Sequence, residues 1–127
     1  MAVPHPTSLK LRHSFGKTQQ KLAGDKKEVY ISGMSAPDED FLLLADFNNS
    51  RVKGLRVSSG SVSVLFQEDH PEWLVCNSLL VGNQRLLVLE MMGENGTRLL
   101  VAVKDNSGGF REEQIIRIDE TGVCIIN

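Results

Sequence analysis

The chain has few cysteines, no long apolar run and no helical periodicity, and each shortage excludes a class of protein. Its two cysteines, Cys76 and Cys124, cannot form a disulfide framework or supply a zinc site with so few partners. No stretch approaches the length of a membrane span, and residues 1–8 show no signal-peptide pattern, so we expect no membrane partner and a cytoplasmic location. The lack of a long 3.6-residue apolar pattern argues against helical folds.

Recognisable catalytic and cofactor motifs are also lacking. The three histidines, His5, His13 and His70, are scattered without the spacing of a metal site or a catalytic triad. No nucleophile elbow, phosphate-binding loop or dinucleotide fingerprint occurs. The sequence therefore predicts no catalytic residues, no cofactor-binding residues and no metal ligands, and the protein is not expected to be an enzyme.

What the chain does contain is an internal repeat with an offset of 44 residues. The apolar segment Phe41–Asp46 returns as Arg85–Glu90, and Val29–Gly33 before it is answered by Trp73–Asn77. Each copy consists of short segments rich in strand-forming residues, and each apolar segment ends on a carboxylate. A period near this length, built from short strands, is typical of four-stranded propeller blades.

Turn signals between these segments divide the chain into four parts. Residues 1–28 form a basic N-terminal arm, in which the alternation of Leu9–Phe15 fits an outer strand. Residues 29–66 form a first blade, residues 67–119 a second, and residues 120–127 the first strand of a truncated third. The predicted fold class is therefore all-β, a partial β-propeller of four-stranded antiparallel blades.

Local signals add detail to this division. Gly54 lies where the apolar side of its strand changes, which predicts a β-bulge at that residue. The pair Asn95-Gly96 predicts a tight hairpin turn in the second blade. Cys76 and Cys124 each follow a valine at equivalent places in the repeat, so we expect both thiols to be reduced and too far apart for a disulfide.

The segment Leu44–Val52, which reads Leu-Ala-Asp-Phe-Asn-Asn-Ser-Arg-Val, resembles the NHL repeat, where Ala-Asp is followed by an Asn-x-Arg-Val step. The match covers about residues 30–66. The second unit keeps Glu90 and Arg98 but has lost the Ala-Asp pair and the Asn-x-Arg spacing. Propellers of the gluconolactonase type have similar sequence features. The resemblance implies a ring of about six blades, of which this chain would supply about two to two and a half.

The carboxylates Asp46 and Glu90 end equivalent strands and have two interpretations. In lactonase-like relatives, such carboxylates point toward a central calcium ion, which needs six or more oxygen ligands. Alternatively, they cap turns or pair with the neighbouring Arg51 and Arg98, and the sequence favours this pairing.

Charge is unevenly distributed although the net charge is only −2. Residues 1–27 carry +5, so the remainder carries −7. The face that bears the turns between blades is predicted to be acidic, which suits a basic peptide better than nucleic acid, whose phosphates require Lys and Arg. The carboxylates expected there are Asp46, Glu68, Asp69, Glu72, Glu90, Glu94, Asp119 and Glu120.

The function predicted from these features is that of a non-enzymatic protein-interaction or scaffold module of NHL-like type. Two alternatives stay open: a fragment of a calcium-dependent gluconolactonase-like hydrolase, and an RNA-binding propeller piece that uses the basic arm. The expected partner is a protein or a basic peptide. Two blades cannot close a ring, so the open flanks of Phe41–Phe47 and Leu86–Met92 also predict self-association.

Overall fold

The chain folds into two antiparallel β-sheets. The computed structural model describes residues 22–93, 96–118 and 124–126, and over these ranges it contains nine strands and no helix. No described segment is therefore a helix that could cross a membrane. The predicted all-β class is confirmed.

Consecutive strands pair side by side in both sheets, as they do in a propeller blade. The first sheet consists of β1 (Ile31–Asp38), β2 (Phe41–Asp46), β3 (Arg51–Arg56) and β4 (Val62–Gln67). The second consists of β5 (Leu74–Val81), β6 (Arg85–Met91), β7 (Thr97–Lys104), β8 (Phe110–Ile118) and β9 (Cys124–Ile126).

The sequence repeat is also a repeat of strand register. In the first sheet, Leu44 of β2 lies opposite Lys53 of β3. In the second sheet, Val88 lies 44 residues after Leu44 and is opposite Leu100 of β7. The same offset relates the two carboxylates that end these strands, because Asp46 is opposite Arg51 and Glu90 is opposite Arg98.

The hydrophobic core lies between the two sheets. From the first sheet it receives one face, represented by the fully buried Leu43 and Ala45. From the second sheet it receives the face that carries Leu86, Val88 and Leu100, which are also fully buried. Because burying one such aliphatic side chain contributes about 1.5–3 kcal/mol, this single layer provides much of the driving force for folding.

The first strands of the two sheets lie next to each other. Ser32 Oγ donates a hydrogen bond to Cys76 O at 2.7 Å, and Ser35 Oγ donates to Ser78 O at 3.2 Å. A Cβ on Gly33 would come within 2.8 Å of Cys76 O, so this close approach requires glycine. Backbone proximity at β1 and β5 therefore fixes how the sheets stack.

The C-terminal strand differs from its prediction. Residues 120–127 are expected to begin a third blade, but β9 pairs antiparallel with β8 and becomes the fifth strand of the second sheet. The physical reason is that the free edge of β8 offers unpaired N–H and C=O groups, which β9 satisfies.

The predicted bulge is displaced from Gly54. Val52 pairs with Phe66 and Lys53 with Val64, so Leu65 of β4 is the extra residue. Gly54 is required for a different reason: a Cβ there would lie 2.5 Å from the ring of Phe41. The sequence therefore correctly indicates that Gly54 is constrained, but the constraint is the nearby Phe41 ring rather than a β-bulge.

Two predictions fall wholly or partly outside the described residues. The outer strand expected at Leu9–Phe15 belongs to residues 1–21, and Asn95 of the expected hairpin turn is likewise not described. At the edge of that turn, Met92 N donates to Gly96 O at 2.9 Å, and Gly93 has a φ of 54°.

Candidate functional site

A buried lysine lies between two carboxylates at one end of the first sheet. Lys53 Nζ is 2.7 Å from Asp25 Oδ2 and 2.8 Å from Asp46 Oδ2, and all three side chains are 0% exposed. Burial raises the pKa of Asp25, but the hydrogen bonds from Lys53 Nζ and Leu22 N outweigh it and hold that pKa below its ordinary value. The lysine is therefore compensated on both sides, which a buried charge requires.

Asn49 connects this cluster to the chain that precedes the first sheet. Its Nδ2 donates to Asp46 Oδ2 at 2.8 Å and to Lys27 O at 3.0 Å. Its Oδ1 accepts hydrogen bonds from Lys26 N at 2.8 Å and Lys27 N at 3.0 Å. One side chain thus fixes the path of residues 26–27 across the end of the sheet.

Arg51 fixes the same segment a few residues earlier. Its Nη1 donates to Ala23 O and to Asp25 Oδ1, both at 2.9 Å, while Nε donates to Gln67 Oε1. The residues that carry the resemblance to the NHL repeat, Asp46, Asn49 and Arg51, therefore hold residues 22–28 against the first sheet.

The second sheet carries a related cluster around Arg98. Arg98 Nε donates to Glu90 Oε1 at 2.8 Å, and Nη2 donates to Glu68 Oε2 at 3.2 Å. The guanidinium also lies 4.1 Å from the ring centroid of Trp73, within the range of a cation–π contact. The two clusters are built alike. Glu68 precedes its sheet and Glu90 lies on the second strand of that sheet, as Asp25 and Asp46 do in the first sheet.

Glu90 is the least satisfied member of this cluster. Its side chain is fully buried, and Oε2 has no hydrogen-bond partner among the described residues. Burial, followed by the neighbouring Glu68 carboxylate, raises the pKa of Glu90 to about 8 against the opposing effect of Arg98. A proton on Oε2 would turn this acceptor into a donor toward Glu68, which relieves both the repulsion and the missing hydrogen bond.

Both Asp46 and Glu90 form ion pairs with cationic side chains. Glu90 pairs with Arg98, as the sequence favours, whereas Asp46 pairs with Lys53 rather than with the directly opposed Arg51. The two carboxylates lie in separate clusters that cations already occupy. No group of three or more His, Cys, Asp or Glu side chains that could hold a metal ion occurs in the described ranges.

The prediction of an acidic face requires correction. Asp46 and Glu90 are fully buried, and Glu68 has a side chain that is only 9% exposed against Arg98. Carboxylates that are buried and paired with cations contribute little charge to the surface. Of the predicted set, Asp69 and Glu72 are exposed, and Glu94, Asp119 and Glu120 lie outside the described residues. Three of the five described carboxylates, Asp46, Glu68 and Glu90, therefore add little charge to the predicted face.

Sequence reasoning missed Lys53 and Asp25. A single lysine in a strand is usually solvated, so nothing about its residue type indicates burial. The available signal was positional: Lys53 lies opposite Leu44 and so shares a face with Asp46, two residues further along β2.

Next to these clusters, two adjoining pockets form a cleft. The larger is a polar groove of about 550 Å³ between the β2–β3 turn and the connection that leads to β5. Its lining includes Lys26 and Lys27 together with Glu68, Asp69 and His70. The groove therefore contains charged side chains of both signs.

The smaller pocket, of about 450 Å³, is lined by Tyr30, Ser32, Phe47, Asn48 and Cys76. It adjoins the groove at Asn48, which lines both. Tyr30 is 59% exposed, and its ring meets the Phe47 ring edge-on, with centroids 6.3 Å apart. Burial raises the pKa of the Cys76 thiol, which makes it a poor nucleophile. The pocket thus offers apolar contact rather than reactive chemistry.

No family model, curated protein or solved structure matches the chain.

Proposed function

We propose that this chain is a non-enzymatic protein-interaction module of NHL-like propeller type, which binds an extended segment of another protein in the cleft. The observation that carries the proposal is Tyr30, a largely exposed aromatic side chain at an apolar pocket that continues into a polar groove. Tyrosine supplies large contact area with few rotatable bonds and is enriched among the residues that dominate binding energy.

The rigidity of the cleft supports this proposal. The β2–β3 turn that forms its centre is held by Asn49, and Ser50 Oγ of the same turn donates to Trp73 O at 3.2 Å. Walls that are ordered before binding lose little conformational entropy when a partner arrives. The buried clusters therefore have a functional consequence, because they keep the cleft in one shape.

The charges of the groove indicate the kind of segment that fits. An apolar or aromatic side chain would lie in the Tyr30 pocket, and the flanking residues would follow the groove. Asp69 is exposed in the groove and is available for a basic residue of the partner. This is the part of the basic-peptide prediction that the described charges still favour.

The two alternatives have less support. A calcium-dependent hydrolase would need Asp46 and Glu90 as metal ligands, but Lys53 and Arg98 occupy their carboxylates. Of the basic arm, residues 1–28, the described part includes Lys26 and Lys27, which line the groove together with the exposed Asp69. A carboxylate at this place repels the phosphates of RNA.

Selection from a phage-displayed random peptide library, with the folded chain as bait, tests the proposal. Selected peptides would then be titrated by calorimetry against wild type and two variants. We expect Tyr30→Ala to weaken binding roughly tenfold or more, because an aromatic anchor contributes over 1 kcal/mol. The matched control Met34→Ala should leave affinity unchanged, since Met34 is 63% exposed on β1, four residues after Tyr30, but lines neither pocket of the cleft.

Failure to select any peptide, or peptides whose affinity is indifferent to Tyr30→Ala, would contradict the proposal. Polyuridylate and calcium chloride serve as probes for the two alternatives. Salt-sensitive binding of the former would support RNA recognition, and thermal stabilisation by the latter that disappears in Asp46→Asn would support a calcium site.

A further inference from the structure

The two buried charge clusters differ by one cation. In the first sheet, Lys53 pairs with both Asp25 and Asp46, and Arg51 pairs with Asp25, so two cations face two carboxylates. In the second sheet the place of Lys53 is taken by Leu100, which is fully buried and carries no charge. The second cluster therefore lacks the cation that Lys53 supplies to the first.

Glu68 and Glu90 share the guanidinium of Arg98. Each carboxylate accepts one hydrogen bond from it, whereas Glu90 Oε2 has no hydrogen-bond partner among the described residues. With both carboxylates ionised, the cluster has one net negative charge at side chains that are at most 9% exposed. A buried charge is costly unless it is compensated. A proton shared by the two carboxylates supplies that compensation.

The groups that face Glu90 favour retention of this proton at neutral pH. Arg98 approaches from β7, Glu68 from the connection before β5, and Cys76 from β5 itself. Burial and the Glu68 carboxylate raise the pKa of Glu90 to about 8 against the opposing effect of Arg98. Burial also raises the pKa of the Cys76 thiol, which therefore adds no charge here.

Glu68 belongs to the groove of the cleft as well as to the buried cluster. It lines the groove together with the exposed Asp69, while its ion pair among the described residues is with Arg98. A cation that enters the groove can therefore act on the buried pair through Glu68. The other charged or titratable residues that line the groove are Lys26, Lys27, Arg51 and His70.

We propose that the cleft binds a basic segment with release of the proton that Glu68 and Glu90 share, so that binding is stronger at higher pH. The linkage rests on the proposed function, because it regulates the same cleft. An arginine or lysine of the partner beside Glu68 and Asp69 supplies the charge that Lys53 supplies to the first cluster, and it remains protonated. The proton leaves Glu90 Oε2 for the solvent, and Arg98 and the partner's cation then balance the two carboxylates.

The direction of the pH effect follows from linkage. A cation near Glu68 stabilises the ionised pair, so the pKa of Glu90 in the complex lies below its value of about 8 in the free chain. Between these two pKa values a proton is released as the segment binds, and the association constant rises by up to about tenfold per pH unit. Below the lower value and above the higher one, affinity no longer depends on this proton.

Calorimetric titration with a basic peptide from the library, blocked at both ends and free of histidine, tests the proposal. Titrations near neutral pH in two buffers of different ionisation enthalpy give the number of protons released. We expect proton release for wild type and none for Glu90→Gln, which should still bind the peptide but without the rise in affinity at higher pH. Circular dichroism establishes that the variant is folded. Equal proton release in Glu90→Gln, or release that His70→Gln abolishes, would overturn the proposal.

A second measurement does not depend on the library. N-acetyl-argininamide, a single cation, is added at millimolar concentration while the emission of Trp73, whose ring lies against Arg98, is titrated with pH. We expect a midpoint at lower pH than in equal sodium chloride, a smaller shift in Asp69→Asn, and a full shift in Glu112→Gln, an exposed position on β8 outside the groove. An unchanged midpoint would overturn the proton release, whereas failure to select any peptide contradicts the proposed function, so the two failures are distinguishable.

Discussion

Lys53 in the first sheet and Leu100 in the second occupy the same place in the repeat, and both are fully buried. The second sheet fills the position with a hydrocarbon side chain. The first fills it with a charge, which is tolerated because Asp25 and Asp46 lie within hydrogen-bonding distance on two sides. One structural position is thus stabilised by the hydrophobic effect in one sheet and by ion pairing in the other.

Replacement of Lys53 should be strongly destabilising. Lys53→Met leaves the buried Asp46 without its cation and removes one of the two cations that contact Asp25, and we expect the free energy of unfolding to fall by about 3–5 kcal/mol. Urea denaturation at neutral pH measures this change. The double variant Asp46→Asn, Lys53→Met should recover part of the loss, because Asp25 keeps Arg51 as its cation and no unpaired charge remains. A Lys53→Met chain as stable as wild type would contradict the proposed role of the cluster.

Asn49 and Asn48 provide a matched pair of adjacent residues. Asn49→Asp puts a carboxylate in place of an amide that donates to Asp46 Oδ2 and Lys27 O, so two hydrogen bonds become repulsive contacts. We expect a loss of about 1–3 kcal/mol in unfolding free energy. Asn48→Asp removes one exposed hydrogen bond, to Glu28 O, and should cost less. Equal costs would show that Asn49 has no special structural role.

The pKa of Glu90 predicts a pH dependence of stability. Because this pKa is about 8 in the folded chain and ordinarily 4.5, the folded state binds more protons than the unfolded state between these values. The contribution of Glu90 is therefore fully present below pH 4.5 and is lost as the pH rises through about 8. Unfolding free energy should decline over this range in wild type, and Glu90→Gln should flatten the decline.

Trp73 provides a direct readout of the same proton. It is the single tryptophan of the chain and lies against Arg98, which bonds to Glu90. The emission of Trp73 should titrate in wild type near pH 8 and not in Glu90→Gln. An unchanged titration in that variant would assign the proton to another group.

The thiol of Cys76 should react slowly with iodoacetamide in the folded chain. Burial raises its pKa, so the reactive thiolate is scarce at neutral pH. Peptide mass mapping after timed alkylation, with and without urea, measures the rate at this residue separately from Cys124. A rate that urea does not increase would show that the fold gives no protection.

The repeat could be predicted from sequence because strand-forming segments and turn residues are local signals. That is why the segments around Phe41–Asp46 and Arg85–Glu90 are strands, and why the all-β class is correct. The site depends on longer-range contacts. Lys53 contacts Asp25, which lies 28 residues earlier in the chain. The pairing of β9 with β8 depends on β8 having an unpaired edge in the folded sheet. Neither relationship leaves a periodic pattern in the sequence.

The proposed binding surface for a protein segment is the cleft beside the β2–β3 turn. Amide hydrogen exchange of the full chain, measured with and without a peptide selected from the library, shows which residues the peptide covers. We expect added protection at Tyr30 and in the turn at residues 47–50, with little change in β7. Protection confined to the second sheet, or no change anywhere despite bound peptide, would show that the peptide does not bind in the cleft.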